Sequence, residues 1–225
     1  PATSYLAEAQ KCTALGRDTV ATGARNEGQL DVFAKDAIEH GLVKHWYMGE
    51  DQETPSLFET VGWDALDGSK GFSGSGLPGP DFEFFRTNYA TLYGGPAAVP
   101  LMEMTYDSVI IAALAAAKAN SNDTQAIRDA MMDVANAPGE QIHSGVDAIK
   151  NALELAGSGK DVDYVGVSGG WEFGPNGEQQ LTGSRMWHVD AATKSLPTDG
   201  FVLYDQASGT YTWTAAPDCK FCAPF

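Results

Sequence analysis

From the amino terminus to Leu77 the apolar positions run in two alternating rhythms. Ser4–Leu15 sets Tyr5, Leu6, Ala9, Cys12 and Leu15 near one face of a helix that Gly16 closes. DTVATG, Asp18–Gly23, reads as a short buried strand, and Asn26-Glu27-Gly28 as a turn. Leu30–His40 is a second helix with Leu30, Phe33, Ala34, Ala37 and Ile38 on one face, stopped by Gly41. HWYMG, His45–Gly49, is an aromatic-rich strand whose alternation sends Trp46 and Tyr47 to opposite faces. Thr54 caps and Pro55 opens a short helix to Val61, and Gly68–Leu77 is a strand laced with Gly and Ser. Strand–helix–strand–helix–strand predicts an α/β fold, a parallel sheet with helices on its faces.

After LPGP, Leu77–Pro80, the rhythm changes. Helices follow without intervening strands. Phe82–Tyr93 carries Phe82, Phe85, Tyr89, Leu92 and Tyr93 on one stripe. Thr105–Ala119 carries Tyr106, Val109, Ile110, Ala113, Leu114 and Ala117. Asp123–Val134 is expected to bury Ile127, Ala130, Met131 and Val134. Ser144 is expected to cap a helix with Val146, Ile149, Leu153 and Ala156 inward. These stripes must be buried, either against one another or on a sheet outside this chain. DVDYVGVSGGWEFGPNGEQQ, Asp161–Gln180, then sets a small-residue bend, an aromatic alternation and an Asn-Gly turn in succession. Short strands at Arg185–Val189, Phe201–Tyr204 and Thr210–Trp213 follow, the last two joined at Ser208-Gly209.

Charge narrows the function. The 225 residues carry 14 Lys and Arg against 30 Asp and Glu, a formal charge of −16. Such a field repels phosphate backbones and anionic lipid, so nucleic acid is not an expected partner. The longest apolar run, Ser108–Ala119, is far short of the roughly 20 residues of a membrane span, so the protein is not expected to be membrane-embedded. The cysteines are Cys12, Cys219 and Cys222. DCKFC lacks the strand-to-helix setting of a thioredoxin motif, and His40, His45, His143 and His188 do not complete a zinc spacing. A small disulfide, free thiols or a pairing with Cys12 all remain open. No GxSxG, P-loop or HExxH pattern is present, so no catalytic residue, metal site or cofactor is assigned.

Three segments together resemble one family. TYDSVIIAALAAAKANSNDTQAIRDAM, Thr105–Met131, looks like its YDA-plus-apolar helix followed by an "A-I-R-D-A-L" helix. DYVGVSGGWEFGPNGE is similar to its bent return segment, and HWYMGED…GSKGFSGS to its strand–"GxD"–helix–"GxxG" passage. The chain thus resembles the C-terminal two-thirds of type I periplasmic solute-binding proteins, the branched-chain amino-acid subfamily of ABC importers. The match runs over about residues 4–190. The resemblance implies two α/β lobes that close on a ligand by hinge motion. Residues 1–77 would form most of the second lobe. Residues 78–163 would be helices packing on a first lobe whose sheet is not in this chain, and 164–225 the hinge return and terminal strands on the second lobe. It also implies that about 130–180 further residues and a removed signal peptide lie upstream, with the protein periplasmic and delivering its solute to a membrane permease.

In open parallel sheets ligands bind beyond the carboxyl ends of the strands. Two such ends are visible, Ala24-Arg25-Asn26-Glu27 and Glu50-Asp51. The resemblance places an acid in the second loop as acceptor for an α-ammonium. Asp51 matches it best, with Glu50 the alternative register, and a carboxylate facing an ammonium in a partly dry cleft is a strong pair. A solvated acid, or a cap for the helix near Thr54, is the plainer reading of the same residue. Ala24 stands where the family often has an aromatic, and Arg25 adds a charge that an aliphatic amino acid does not need. Amides, urea, dicarboxylates and aromatic acids therefore stay open as ligands. Tyr106 either lines the cleft or begins the core stripe of its helix. The expected function is non-catalytic solute binding. A ligand-sensing receptor module of the same fold is the alternative, and an enzyme a more distant one.

Overall fold

In the computed structural model, which describes residues 3–14, 16–23, 27–53, 55–95 and 100–222, the chain divides into two compact units. The first comprises Pro1–Ser73, Arg185–Phe201 and Trp213–Phe225. It opens with α1 (Leu6–Thr13), β1 (Thr19–Thr22), α2 (Glu27–Glu39), β2 (His45–Met48), α3 (Pro55–Val61) and β3 (Lys70–Gly74). β1, β2 and β3 pair in parallel, Val20 opposite Trp46 and Met48 opposite Gly71. Helix α2 starts at Glu27, so Glu27 and Gly28 of the expected turn are helical, while Asn26 lies outside the described residues. The alternation in HWYM is realised: Trp46 and Met48 are buried and Tyr47 faces outward. Trp46 meets Phe33 of α2 edge to face at 6.2 Å, joining the core of Leu30, Ala34, Ala37, Leu57 and Phe58. Trp187 lies so close over β3 that a Cβ on Gly71 would fall 2.1 Å from its ring, so only glycine fits there.

The second unit, Gly74–Ser184 with Val202–Thr212, contains α4 (Pro80–Tyr93), α5 (Met102–Ala119), α6 (Thr124–Ala135), β4 (Glu140–Ile142), α7 (Val146–Gly157) and β5 (Val162–Tyr164). The expectation of helices without strands is corrected here. β4 and β5 pair in parallel, Ile142 opposite Tyr164, and α5, α6 and α7 bury Ile111, Leu114, Val134, Ala152 and Ala156 with them. Asp123 caps α6 by accepting from the Gln125 and Ala126 N–H groups. Ser144 does not cap α7; the N-cap is Gly145, and Ser144 instead turns to Asp81.

The face that α5 buries also differs from the predicted stripe. Glu103, Asp107, Ile111, Leu114 and Ala115 are buried, whereas Val109 is 64% exposed. An almost wholly apolar helix offers no periodic contrast, and its orientation is set by a buried charge. Asp107 Oδ1 accepts from the Tyr164 hydroxyl and the Val167 N–H, both at 2.8 Å. Its Oδ2 accepts from the Ser168 N–H at 2.8 Å, the Ser168 hydroxyl at 2.5 Å and the Trp171 indole at 3.0 Å. Gly166, at φ +79°, lets the chain wrap this carboxylate; a Cβ there would sit 2.8 Å from Oδ2. Beyond it Phe173 bridges Gln179 in a small hairpin. Asn136, just past α6, holds Phe173 by its N–H at 2.9 Å and its carbonyl at 2.8 Å.

The remaining strands are β6 (Leu181–His188), β7 (Thr198–Asp205) and β8 (Thr210–Ala215). The large sheet has the order β1-β2-β3-β6-β7-β8. Among the cysteines, Cys219 and Cys222 form a disulfide and Cys12 is free and exposed.

Two expectations follow. Asp107→Ala leaves five donors facing a void and should lower the unfolding free energy by about 3–5 kcal/mol in urea titration; a loss under about 1 kcal/mol would contradict the keystone role. At α4, burial raises the Asp81 carboxyl, but Ser144, through hydroxyl and N–H, and the His143 ring together hold it below the ordinary 3.8. A carboxyl held low in the folded state stabilises above its unfolded value and loses that stabilisation as pH falls through the folded one. Asp81→Asn should therefore flatten the decline in melting temperature between about pH 5 and about pH 3.

Candidate ligand-binding site

The carboxyl ends of β1 and β2 are tied together by one side chain. Gly49 donates its N–H to the Thr22 carbonyl at 3.1 Å. A 3₁₀ turn over Glu50–Gln52 follows directly. Gln52, only 2% exposed, turns its Oε1 back to accept from the Gly49 N–H at 2.7 Å and from the Thr22 hydroxyl at 3.2 Å. Glycine at 49 suits this closure, because a Cβ would press tightly, at 3.3 Å, on both Gln52 Oε1 and the Thr22 carbonyl. The turn presents Glu50 and Asp51, both half-buried, at the end of the strand. Glu50 has a partner, whereas no hydrogen bond reaches the Asp51 carboxylate from the described residues.

Behind the turn lies a polar group that sequence reasoning missed. Glu53 accepts from the Ser73 hydroxyl at 2.5 Å and pairs with Arg185. Arg185 also donates to Thr198 Oγ1 at 3.2 Å and to the Leu196 carbonyl at 3.4 Å. The Trp187 indole donates to Ser73 Oγ at 2.9 Å. The pair is separated by 132 positions, so no local spacing announces it. The side chains of Glu53 and Arg185 are 13% and 18% exposed. This ion pair, satisfied by a hydroxyl, a carbonyl and the Thr198 side chain, fixes the base of the acidic turn on β3, β6 and β7.

Of the predicted site residues, Glu50 and Asp51 share one turn. Ala24 and Arg25 lie outside the described residues, as does Thr54. Tyr106 belongs to the other compact unit, on α5, with its ring 5.4 Å from that of Phe85. Burial, and then the neighbouring Asp107 charge, raise its phenol above the ordinary 10.0. Trp46 is core, and Tyr47 is the residue of β2 that faces outward. No group of three or more His, Cys, Asp or Glu side chains that could hold a metal ion occurs among the described residues. No described helix is long and apolar enough to cross a membrane.

A mostly parallel central sheet flanked by helices is the fold that this chain shares with the type I periplasmic binding proteins. Among solved structures the chain is similar to the leucine-binding protein LivK of Thermotoga maritima, at 18% identity and a TM-score of 0.64, over 89% of this chain and 49% of that one. It is similar to the branched-chain amino-acid transporter substrate-binding protein LivJ of Streptococcus pneumoniae, solved with isoleucine, at 13% identity and 0.59, over 96% and 49%. A type 1 periplasmic binding protein of Bordetella pertussis Tohama I matches at 14% identity and 0.57, over 88% and 50%. The chain spans about half the length of these solved proteins. No protein-family model and no curated protein sequence matches it.

Arg185→Met strands a buried carboxylate and should cost about 3–5 kcal/mol of unfolding free energy, of which a second change, Glu53→Gln, should recover most. Denaturant melts of the single and double variants measure both values; a double variant as unstable as the single would rule out the pair as the anchor of the turn.

Proposed function

We propose that this chain is about half of a solute-binding protein that takes up a small polar ligand bearing a cationic group and passes it to the permease of an ABC importer in the periplasm. The observation that carries the reading is the Asp51 carboxylate, half-buried at the carboxyl end of β2 on a turn locked by Gln52 and without a hydrogen-bond donor among the described residues. A rigidly held acid with free lone pairs is suited to accept from an ammonium or an amide N–H, and such a pair strengthens as a closing cleft excludes water. Glu50, already partnered, is the lesser of the two acids. The solved relatives' own ligands, leucine and isoleucine by their names, make amino acids the first class to test. Amides, urea and aromatic or dicarboxylic acids are tested alongside because of Ala24 and Arg25.

In this reading residues 1–77 form most of one lobe, and 164–225 return to it. The helices of 78–163 pack on the half of the protein that this chain does not span. Support for the last point comes from α4 and α7, where Leu92 is 75% exposed, Tyr93 72% and Val146 70%, all three lining one surface cavity. Apolar side chains this exposed and this close together mark an interface. The receptor alternative keeps the same binding chemistry and differs only in what the closed form contacts.

The test is titration calorimetry of the protein with both lobes present, against amino acids, amides, urea and benzoate-type acids, with product analysis of the same mixtures. Saturable heat without turnover is expected, and Asp51→Asn should weaken binding of the ammonium ligand by about tenfold to a hundredfold, with Glu50→Gln much milder. Undiminished affinity in Asp51→Asn would remove that residue from the site. Product formation would replace the binder with an enzyme.

A further inference from the structure

The segment Ala216–Cys222 is fastened to one buried acid. Asp199 is 3% exposed. Its carbonyl accepts from the Ala216 N–H at 2.9 Å. Its Oδ1 accepts from the N–H groups of Lys220 and Phe221, each at 3.2 Å. The same oxygen lies 3.0 Å from Nδ1 of His188, which is 2% exposed. Phe221 sets its ring edge to face with the imidazole at 5.1 Å, and the Lys70 ammonium lies 4.7 Å from the centre of the Phe221 ring. The two residues that supply the N–H groups and the covering ring are thus the two enclosed by the disulfide Cys219–Cys222.

Two consecutive N–H groups converge on one oxygen only when the backbone between them is bent, and a bond between the flanking cysteines holds that bend. Without it the short segment has many more conformations to lose on docking. Cys219 is half-buried and Cys222 exposed, so an incoming thiolate has access. We infer that Cys219–Cys222 is a redox-sensitive clasp that holds Lys220 and Phe221 over the buried Asp199–His188 pair, and that its reduction lifts the segment and opens the pair to water. In the reducing step an external dithiol gives two electrons and two protons. The Sγ–Sγ bond breaks to two thiols, and the dithiol closes to its own disulfide. None of these groups belongs to the acidic turn at Asp51.

The experiment uses the full chain carrying Cys12→Ser, which keeps the exposed third thiol out of exchange. Dithiothreitol is the dithiol, and the comparison is between oxidised and reduced protein under otherwise equal conditions. Hydrogen exchange read by mass spectrometry should show the Lys220 and Phe221 amides exchanging at least about tenfold faster after reduction, the ratio expected for losing hydrogen bonds to a charged acceptor. Diethylpyrocarbonate should then acylate His188, which the oxidised protein protects, while the exposed His40 and His45 react equally in both forms. Phe221→Ala, with the disulfide intact, should make His188 reactive without any reductant. Unchanged exchange at 220 and 221, or a His188 equally protected in both redox states, would overturn the clasp.

Discussion

One carboxylate sets the orientation of the helical unit. Asp107 is wholly buried within α5, a helix otherwise so apolar that burial alone would accept several of its faces. A charge in that position is costly unless every lone pair is used. The arrangement seen here brings Tyr164, Val167, Ser168 and Trp171 to its two oxygens. The helix thereby acquires a rotational phase, and the bend after β5 acquires its course. Apolar packing of Ile111, Leu114 and Ala115 against α6 and α7 supplies most of the stabilisation. The acid decides which way round that packing occurs.

The outward face of α5 is a consequence of the same choice. With Asp107 inward, Val109 points away from the unit's own core. Leu92 and Tyr93 of α4 and Val146 of α7, which line one surface cavity with Tyr106, are exposed as well. Satisfying the buried charge and burying the most apolar stripe are competing demands on one helix. The charge wins because an unpaired buried carboxylate costs several kcal/mol, whereas an exposed valine forgoes about 1.5–3 kcal/mol.

This is also where the sequence could be read and where it could not. Periodicity placed α2, α6 and the strands of HWYM and DTVATG within a few residues, because each contrasts apolar with polar positions. It succeeded only in part on α5, where the contrast is weak: of the predicted stripe Leu114 is buried and Ile110 and Ala117 pack against the core, but Val109 and Ala113 are exposed. It missed β4, whose Glu140 and Gln141 are exposed and only Ile142 buried, since a three-residue strand carries no alternation to detect. The acidic turn was legible as a strand end followed by Glu50-Asp51, but neither its lock by Gln52 nor its foundation on Glu53 and Arg185 was, for these depend on side chains brought together by the fold. The spacing of Cys219 and Cys222 permitted their disulfide without choosing it over a pairing with Cys12.

Three acids show what separates structure from candidate chemistry in so acidic a chain. Asp107 accepts five hydrogen bonds, and Asp199 holds two backbone N–H groups and faces an imidazole. Their acceptor capacity is used by the protein itself. Asp51 sits in the turn closed by Gly49 and Gln52, yet its carboxylate is left without a donor among the described residues. Rigid positioning restricts the conformations an acid can explore, and a free set of lone pairs leaves it something to bind; most surface acids have the second property without the first. A charge of −16 spread over the surface can draw a cation toward the protein, but only a fixed acid can orient it. On that criterion Asp51, rather than net charge, is the residue on which the proposed binding rests.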